Sequence, residues 1–272
     1  MDRTVKILDY LAANKTVKIS LFAEILDVSD VTLRRDLDIL EERGIIRRTH
    51  GHVSLDGADE TGRRIAFSHS IKRRIAKAAA GIIDEGETIM LESGSCCALF
   101  AEELAMTGKN VTIITNSIFI SNYVCKLHNI RIILLGGYLQ AGSRVLVGPM
   151  TAKCAESVFS DKFFLGADGF TPHFGFTGRD HLRVETAVEL AKRAKKVFIL
   201  TESAKFQRHG AYNLFQLDKI AGVFTDDGIP KEAESTLLKN GIFLNKVLSV
   251  EEKINRYCFP GQPPFVFTEK DD

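Results

Sequence analysis

Residues 28–37 read Val28-Ser29-Asp30-Val31-Thr32-Leu33-Arg34-Arg35-Asp36-Leu37, and this stretch decides the fold of the first part of the chain. It predicts a helix that begins after Ser29, because the serine hydroxyl can accept the otherwise unpaired backbone N–H of Thr32. Apolar residues at helical spacing predict its buried side: Leu33, Leu37 and Leu40. The same geometry predicts its exposed side: Val31, Arg34, Arg35 and Asp38. Two adjacent arginines are therefore expected on an open helix face near the helix N-terminus.

Shorter elements flank this helix on both sides. Residues 3–13 and 19–26 have apolar side chains at three-to-four spacing and predict two earlier helices, with Leu21 in the apolar stripe of the second. Asp27 turns the chain, since aspartate tolerates a left-handed backbone. Gly44 ends the third helix, and residues 45–53 interleave apolar and basic side chains as a short hairpin does. This order of elements indicates a winged helix-turn-helix over residues 1–55.

The charges of this module favour DNA as its partner. The stretch 43–52 has no carboxylate and contains five basic side chains: Arg43, Arg47, Arg48, His50 and His52. A recognition helix enters the major groove with its N-terminal residues against the bases, and arginine suits guanine or phosphate. The candidate DNA-binding residues are Ser29, Asp30, Thr32, Arg34, Arg35, Arg47, Arg48 and His50. The pattern alone leaves open a second interpretation, a module that contacts only protein.

Composition sets the class of protein. A chain of 272 residues is long for one core and suits two domains. With 36 basic and 35 acidic residues there is no global cationic field, so a DNA site must arise from local placement. Five scattered cysteines predict neither a disulfide framework nor a zinc site, and no metal or other cofactor is predicted. Since no apolar run reaches the ~20 residues of a membrane span, we expect a cytoplasmic protein with no membrane partner.

The remaining chain predicts a linker and a second, α/β domain. Residues 56–70 lack an apolar period and predict the linker, and the helix over 71–83 is expected to expose Lys72, Arg73, Arg74 and Lys77. A domain over 71–258 and a flexible tail over 259–272 follow. Short apolar runs alternate with helical patterns and predict a Rossmann-like parallel sheet that binds an effector. The runs are 88–91, 111–114, 130–135, 162–166, 197–200 and 220–224.

Small polar residues follow each of these runs. The carboxyl ends of parallel strands meet at one edge of a sheet, where such folds bind ligands. Ser93-Gly94-Ser95 also opens the next predicted helix, whose free N–H groups favour an anion. The candidate effector-binding residues are Ser93, Gly94, Ser95, Cys96, Asn116, Gly136, Gly137, Asp168, Gly169 and Lys205.

Both parts of the chain resemble the DeoR family of regulators. In the first part the likeness rests on residues 28–37 with Gly44, Arg47 and 49–51; in the second it rests mainly on 92–95, 115–117, 136–138, 164–169 and 203–206. The resemblance implies a sensor domain similar to ribose-5-phosphate isomerase that binds phosphorylated sugars. It predicts a ligand-responsive repressor of a carbohydrate-metabolism operon, which binds a double-stranded DNA operator as a dimer or tetramer and is released by the effector.

Departures from the family pattern bear on the ligand and on catalysis. The phosphate turn of the family opens with aspartate and continues with threonines, whereas here Glu92 opens it and Cys96 and Cys97 continue it. A redox role for this cysteine pair stays open. The alternative function is a sugar-phosphate isomerase that carries a DNA-binding module. The related enzymes have a carboxylate where Gly169 stands, together with a lysine ahead of a glycine cluster, so we expect no enzyme activity. The identity of the effector and the operator sequence stay open.

Overall fold

A computed structural model describes residues 3–56 and 60–249. The first part contains, in chain order, α1 (Arg3–Ala13), β1 (Val17–Lys18), α2 (Ile19–Leu26), α3 (Asp30–Glu42), β2 (Ile46–Thr49) and β3 (His52–Leu55). The three strands form an antiparallel sheet in the order β1-β3-β2. The three predicted helices and the hairpin are confirmed, and β1 adds an edge strand that the sequence did not reveal. Leu21 is 48% exposed, so its predicted place in the apolar stripe is wrong.

Residues with left-handed backbone make the turns of this module. Asp27 ends α2 with φ 53°, as predicted. At the tip of the β2–β3 hairpin, His50 and Gly51 both have positive φ, 47° and 78°. Positive φ at two successive residues is what a tight hairpin turn requires to match the twist of its strands. The wing is therefore a short hairpin with His50 and Gly51 at its tip.

The rest of the described chain is an α/β unit. Its elements are, in chain order, α4 (Glu60–Ala66), α5 (His69–Ala80), β4 (Thr88–Leu91), α6 (Ser95–Met106), β5 (Val111–Thr115), α7 (Ile118–Val124), β6 (Ile130–Leu134), β7 (Tyr138–Gln140), β8 (Val145–Val147), α8 (Pro149–Ala155), β9 (Ser160–Leu165), β10 (Gly169–Thr171), β11 (Gly175–Gly178), α9 (His181–Ala191), β12 (Ala194–Leu200), β13 (Tyr212–Phe215), β14 (Gly222–Asp226), α10 (Lys231–Lys239) and β15 (Phe243–Val247). Short 3-10 turns lie at Ser203–Gln207 and Leu217–Lys219.

Seven parallel strands form the central sheet, in the order β15-β14-β12-β9-β4-β5-β6. All six apolar runs predicted as strands lie in it. The seventh strand, β15, was missed because it contains Asn245 and Lys246 and lies half exposed at the sheet edge. The hairpin β7–β8 and the small sheet β10-β11-β13 are separate from it.

The segment predicted as a linker contains a helix. Within α4, Thr61, Ile65 and Ala66 are fully buried, so this segment is packed rather than extended. Short length hid the helix, because seven residues give too few turns for a periodic signal. One apolar core joins the winged module, α4, α5 and the sheet, and it includes Leu37 and Phe100. The domain limits at residues 55, 56–70 and 71–258 stay a prediction, and the predicted tail over 259–272 lies outside the described residues.

Helix α5 turns one of its cations inward. Lys72 was expected on the exposed face, but only 3% of it is exposed. Its Nζ donates to the backbone oxygens of Arg64 (2.5 Å) and Phe67 (2.6 Å) and lies 3.4 Å from Glu202. A buried ammonium is tolerated when hydrogen bonds and a counter-charge replace its water. Lys72 thus ties α5 to the carboxyl edge of the sheet.

Candidate functional site

The first candidate site is the exposed face of α3. Ser29 has the extended backbone of a helix cap, and its Oγ accepts the backbone N–H of Thr32 at 3.2 Å, as predicted. Asp30 lies in the first turn, where a carboxylate interacts favourably with the helix dipole. The predicted apolar stripe is buried, with Leu33, Leu37 and Leu40 at most 2% exposed. The helix is therefore held by its core side and its opposite side faces outward.

Two of the predicted DNA contacts are open on this face. Arg34 and Arg35 are both exposed, and neither forms an ion pair with any residue that the structure describes. Arg47, on β2 of the wing, is exposed as well, and so is His50 at the wing tip. These side chains can reach a ligand without first breaking a contact within the described chain. Their assignment to DNA stays a prediction.

Arg48, also a predicted DNA contact, already has partners within the chain, and its assignment to DNA stays a prediction. Its backbone N–H and its Nε donate to the carboxylate of Glu41 at 2.8 and 2.7 Å, and its Nη2 lies 2.6 Å from Asp38. Both carboxylates belong to α3. Arg48 therefore fastens the wing to the recognition helix, and its charge is already neutralised by two partners.

A third arginine connects α3 with the sheet domain. Arg43, at the C-terminal end of α3, places its Nη1 2.7 Å from Glu102 of α6 and its guanidinium 5.0 Å from the ring centre of Tyr123 on α7. The Tyr123 hydroxyl donates to Glu102 at 2.9 Å. Burial, together with the charge of Glu102, raises the pKa of Tyr123, so the phenol stays protonated and able to donate. Sequence reasoning had placed Arg43 only in the basic stretch of the wing.

A cavity of about 370 Å³ lies beside this contact, between the winged module and α7. Its lining includes Glu42, Gly44, Asp56, Phe119, Asn122 and Arg144. Arg144, from the β7–β8 hairpin, approaches Asp56 to 3.8 Å. The cavity is therefore a gap in the contact between the two parts, and it lies apart from the predicted effector crevice.

The second candidate site is the crevice at the carboxyl edge of the sheet. Helix α6 begins at Ser95, and its cap, Gly94, provides no side-chain hydrogen bond to the first-turn N–H groups. A Cβ on Gly94 would lie 3.4 Å from the backbone nitrogen of Gly166, so the turns after β4 and β9 are in close contact. Uncapped N–H groups at the positive end of a helix attract anions.

Arg183 enters this crevice, and sequence reasoning missed it. Its Nη2 donates to Ser93 Oγ and to Glu92 Oε1, both at 3.1 Å, and Ser93 in turn donates to Glu92 at 2.7 Å. Asp180 caps α9, which holds Arg183, by accepting the backbone N–H of that same arginine at 2.9 Å. In the sequence, Asp180 could have indicated the start of α9. No local pattern could have related Arg183 to Ser93, because 90 residues separate them.

Further charged side chains lie around Lys205, whose predicted contact with the effector stays a prediction. Burial lowers its pKa, while the carboxylates of Glu202 and Asp168 act in the opposite direction. The positive charges of Arg64 and Arg208 also lower the pKa of Lys205. Asp168 accepts the backbone N–H of Arg179 at 2.9 Å, which fixes the turn after β9. The crevice thus contains a partly desolvated ammonium, which is a strong partner for an anion.

The two cysteines of the turn are closed in. Burial raises the pKa of Cys96 to about 12 and raises the pKa of Cys97 well above its usual value, and the Cys97 thiol is 3.6 Å from the backbone oxygen of Phe164. A thiol needs a low pKa and exposure to react. Neither condition is met here, so nothing in this geometry favours a redox role.

Three of the predicted effector residues shape the walls by close packing. A Cβ on Gly137, where φ is 154°, would lie 1.8 Å from Thr151 Oγ1, and one on Gly169 would lie 2.4 Å from the backbone oxygen of Arg208. Asn116 is 2% exposed and donates to the backbone oxygen of Leu146 at 2.9 Å. Gly136 has more room, with Cys154 Sγ 3.5 Å from its Cβ position.

The fold and the two sites define a class of protein: a regulator with a winged helix-turn-helix joined to a sensor domain. A family model described as the DeoR-like helix-turn-helix domain matches residues 3–57, and one described as the DeoR C terminal sensor domain matches residues 68–227. The chain belongs to the DeoR family of transcriptional regulators.

Relatives support this membership over nearly the full chain. The HTH-type transcriptional regulator GolR of Listeria innocua is 31% identical over 85% of this chain and 92% of its own. The lactose phosphotransferase system repressor of Lactococcus lactis is 31% identical over 87% and 97%. Among solved structures, ribose 5-phosphate isomerase A of Methanocaldococcus jannaschii matches 51% of this chain and 54% of its own at 21% identity, with a TM-score of 0.37, too low to bear on function. Among the described helices, none is long and apolar enough to cross a membrane.

Proposed function

We propose that this regulator represses a carbohydrate-metabolism operon and that a phosphorylated sugar or related metabolite releases it from DNA. The observation that carries the proposal is the position of α6. Its N-terminus forms the effector crevice, and Glu102, about 10 Å further along the same helix, holds Arg43 of the recognition helix. One rigid element therefore touches both the anion site and the DNA-binding module.

The charges of the crevice support a phosphate group on the effector. Arg183 lies in the crevice through its hydrogen bonds to Ser93 and Glu92, and Lys205 is a half-buried cation near the carboxylates of Glu202 and Asp168. These cations, together with the uncapped N-terminus of α6, favour an anion, and a sugar phosphate with a second pKa near 6 is mostly a dianion at neutral pH.

Arg183 gives the crevice a side chain that can respond to the ligand. A phosphate at the N-terminus of α6 would compete with Glu92 for the Arg183 guanidinium, since bidentate arginine–phosphate pairs are strong. The arginine belongs to α9, and the α9 cap Asp180 accepts hydrogen bonds from Gln140 of the β7–β8 hairpin at 3.1 and 3.2 Å. The same hairpin provides Arg144 beside Asp56. Movement of Arg183 could thus also be transmitted to the winged module through α9 and the β7–β8 hairpin.

The packing around Gly169 supports binding without turnover. The isomerases that the domain resembles have a carboxylate at this position. Here even a Cβ would lie 2.4 Å from Arg208 O and from His209 Cα, so a longer side chain would require the backbone of both to move. We therefore propose a sensor domain without catalytic activity, and we expect no product when the purified protein is incubated with pentose or hexose phosphates.

The proposed partners follow from the family and its named members. The relatives include a putative aga operon transcriptional repressor of Escherichia coli O157:H7 and the Lactococcus repressor of the lactose phosphotransferase system. For this chain we propose a cytoplasmic protein that binds repeated half-sites of a double-stranded operator. Binding to repeated half-sites requires a homo-oligomer, a dimer or a tetramer.

A thermal-shift screen of sugar phosphates followed by operator binding tests the proposal. We expect at least one phosphorylated sugar, but not its unphosphorylated form, to raise Tm and to weaken operator binding. Arg35→Ala should abolish operator binding and leave the Tm rise intact, because Arg35 lies on the exposed face of α3. A compound that raises Tm and leaves operator affinity unchanged would refute the switch, and full operator binding by Arg35→Ala would refute recognition by α3.

A further inference from the structure

Val31 is a large apolar side chain that the protein leaves open to water. It lies in the first turn of α3, and 69% of it is exposed. The core of the module is completed without it, since the apolar stripe of α3 is already buried. A β-branched residue also has lower helix propensity than alanine, so nothing in the folded module requires valine at this position.

The spacing places Val31 beside the two exposed arginines. Residues three and four positions apart lie on the same side of a helix, so Val31 shares its face with Arg34 and Arg35. It lies on the N-terminal side of both, in the part of a recognition helix that goes deepest into the major groove. The three side chains thus form one surface with an apolar end and a cationic end.

We infer that Val31 determines part of the operator sequence by contacting the 5-methyl group of a thymine, next to a base or phosphate that Arg34 or Arg35 contacts. Among the base edges in the major groove, the thymine methyl is the apolar feature, and apolar side chains distinguish thymine by packing on it. The valine methyls have no hydrogen-bonding group to offer the other base edges. This inference rests on the proposed binding of DNA through α3.

Replacement of thymine by deoxyuridine tests the contact, because it removes one methyl group and leaves base pairing intact. The probe is a duplex that the purified full chain itself selects from a random library. Each thymine of that duplex is replaced in turn, and Kd is measured for the wild-type protein and for Val31→Ala. Burial of one methyl group changes Kd by about fourfold.

We expect one thymine in each half-site at which deoxyuridine weakens wild-type binding about fourfold. Val31→Ala should bind the unmodified duplex with a similar loss and should be insensitive to deoxyuridine at that same position. Ile39→Ala is the matched control, since Ile39 is an exposed apolar residue of the same helix, 49% exposed, two turns further from its N-terminus. This variant should keep the wild-type profile.

Two results overturn the inference while the proposed function stands. The first is a selected duplex that shows no methyl-sensitive thymine. The second is a Val31→Ala variant that keeps the full deoxyuridine effect at every position. Failure of the wild-type protein to select any duplex overturns both the inference and the proposed function. Circular dichroism of Val31→Ala, which should match the wild type, shows that the helix is intact.

Discussion

Replacement of Glu102 by glutamine tests how the two parts of the molecule are coupled. Glu102 accepts from Arg43 at 2.7 Å and from the Tyr123 hydroxyl at 2.9 Å. Glutamine keeps the size of the side chain and one acceptor oxygen but removes the charge. The Arg43 guanidinium would then remain two-thirds buried, 30% exposed, over the Tyr123 ring without a counter-charge.

The expected loss follows from the burial of this pair. A hydrogen bond to a charged group contributes about 1.5–3 kcal/mol and a neutral one about 1 kcal/mol. The difference between these two bonds, together with the cost of an unpaired and partly buried guanidinium, predicts that Glu102→Gln loses about 2 kcal/mol in free energy of unfolding. For a chain of this size that corresponds to a fall in Tm of about 4–8 °C. The contact between α3 and α6 should weaken by a similar amount.

Two assays measure the consequence. Thermal unfolding measures the fall in Tm. The coupling between the effector site and DNA binding is measured as the ratio of operator Kd values with and without a sugar phosphate that stabilises the protein. We expect Glu102→Gln still to bind the sugar phosphate but to lose most of its effect on operator Kd, since the ligand no longer acts on α3 through α6. Glu42→Gln is the control: the Glu42–Lys126 pair also joins the two parts, but its side chains are 62% and 70% exposed and should contribute little.

An unchanged ratio of operator Kd values in Glu102→Gln would show that α6 does not transmit the signal through Arg43. A fall in Tm as large in Glu42→Gln as in Glu102→Gln would refute the argument from burial.

Three further predictions concern single residues. Arg183→Gln should need at least ten times more sugar phosphate than the wild type for the same rise in Tm, because a charge-assisted bond of more than about 1.4 kcal/mol is lost. Equal titration curves for the two proteins would contradict this. Burial lowers the pKa of His69 from 6.5, so between the folded value and 6.5 the unfolded chain binds more protons, and stability falls as the pH falls through this window. Tm should therefore depend less on pH in His69→Gln than in the exposed-loop control His173→Gln; parallel curves for the two variants would contradict this. Gly137→Ala should lower Tm by several degrees through its clash with Thr151, and Gly142→Ala, where nothing lies within 4 Å of the Cβ position, should not; an equal effect of both would contradict the packing argument.

The sequence by itself determined the helices of the winged module, most strands of the central sheet and part of the local chemistry. Periodicity gave the helices over 3–13 and 19–26, and Ser29 marked the start of α3 through a bond that spans only three residues. Apolar runs gave six of the seven sheet strands, because a buried strand needs apolar side chains on both faces. The parallel order then predicted one edge for the polar turns, and the turns after β4 and β9 indeed meet there.

Only the tertiary structure decided which distant side chains meet. Arg183 reaches Ser93 across 90 residues, and Arg43 reaches Glu102 across two parts of the chain that the sequence treated separately. Lys72 was read as exposed because cations usually are, yet Glu202 and two backbone oxygens hold it inside. The physical reason is the same in each case. A local sequence pattern reflects the preference of neighbouring residues for a helix or a strand. An ion pair between distant residues depends instead on how the folded elements pack against one another.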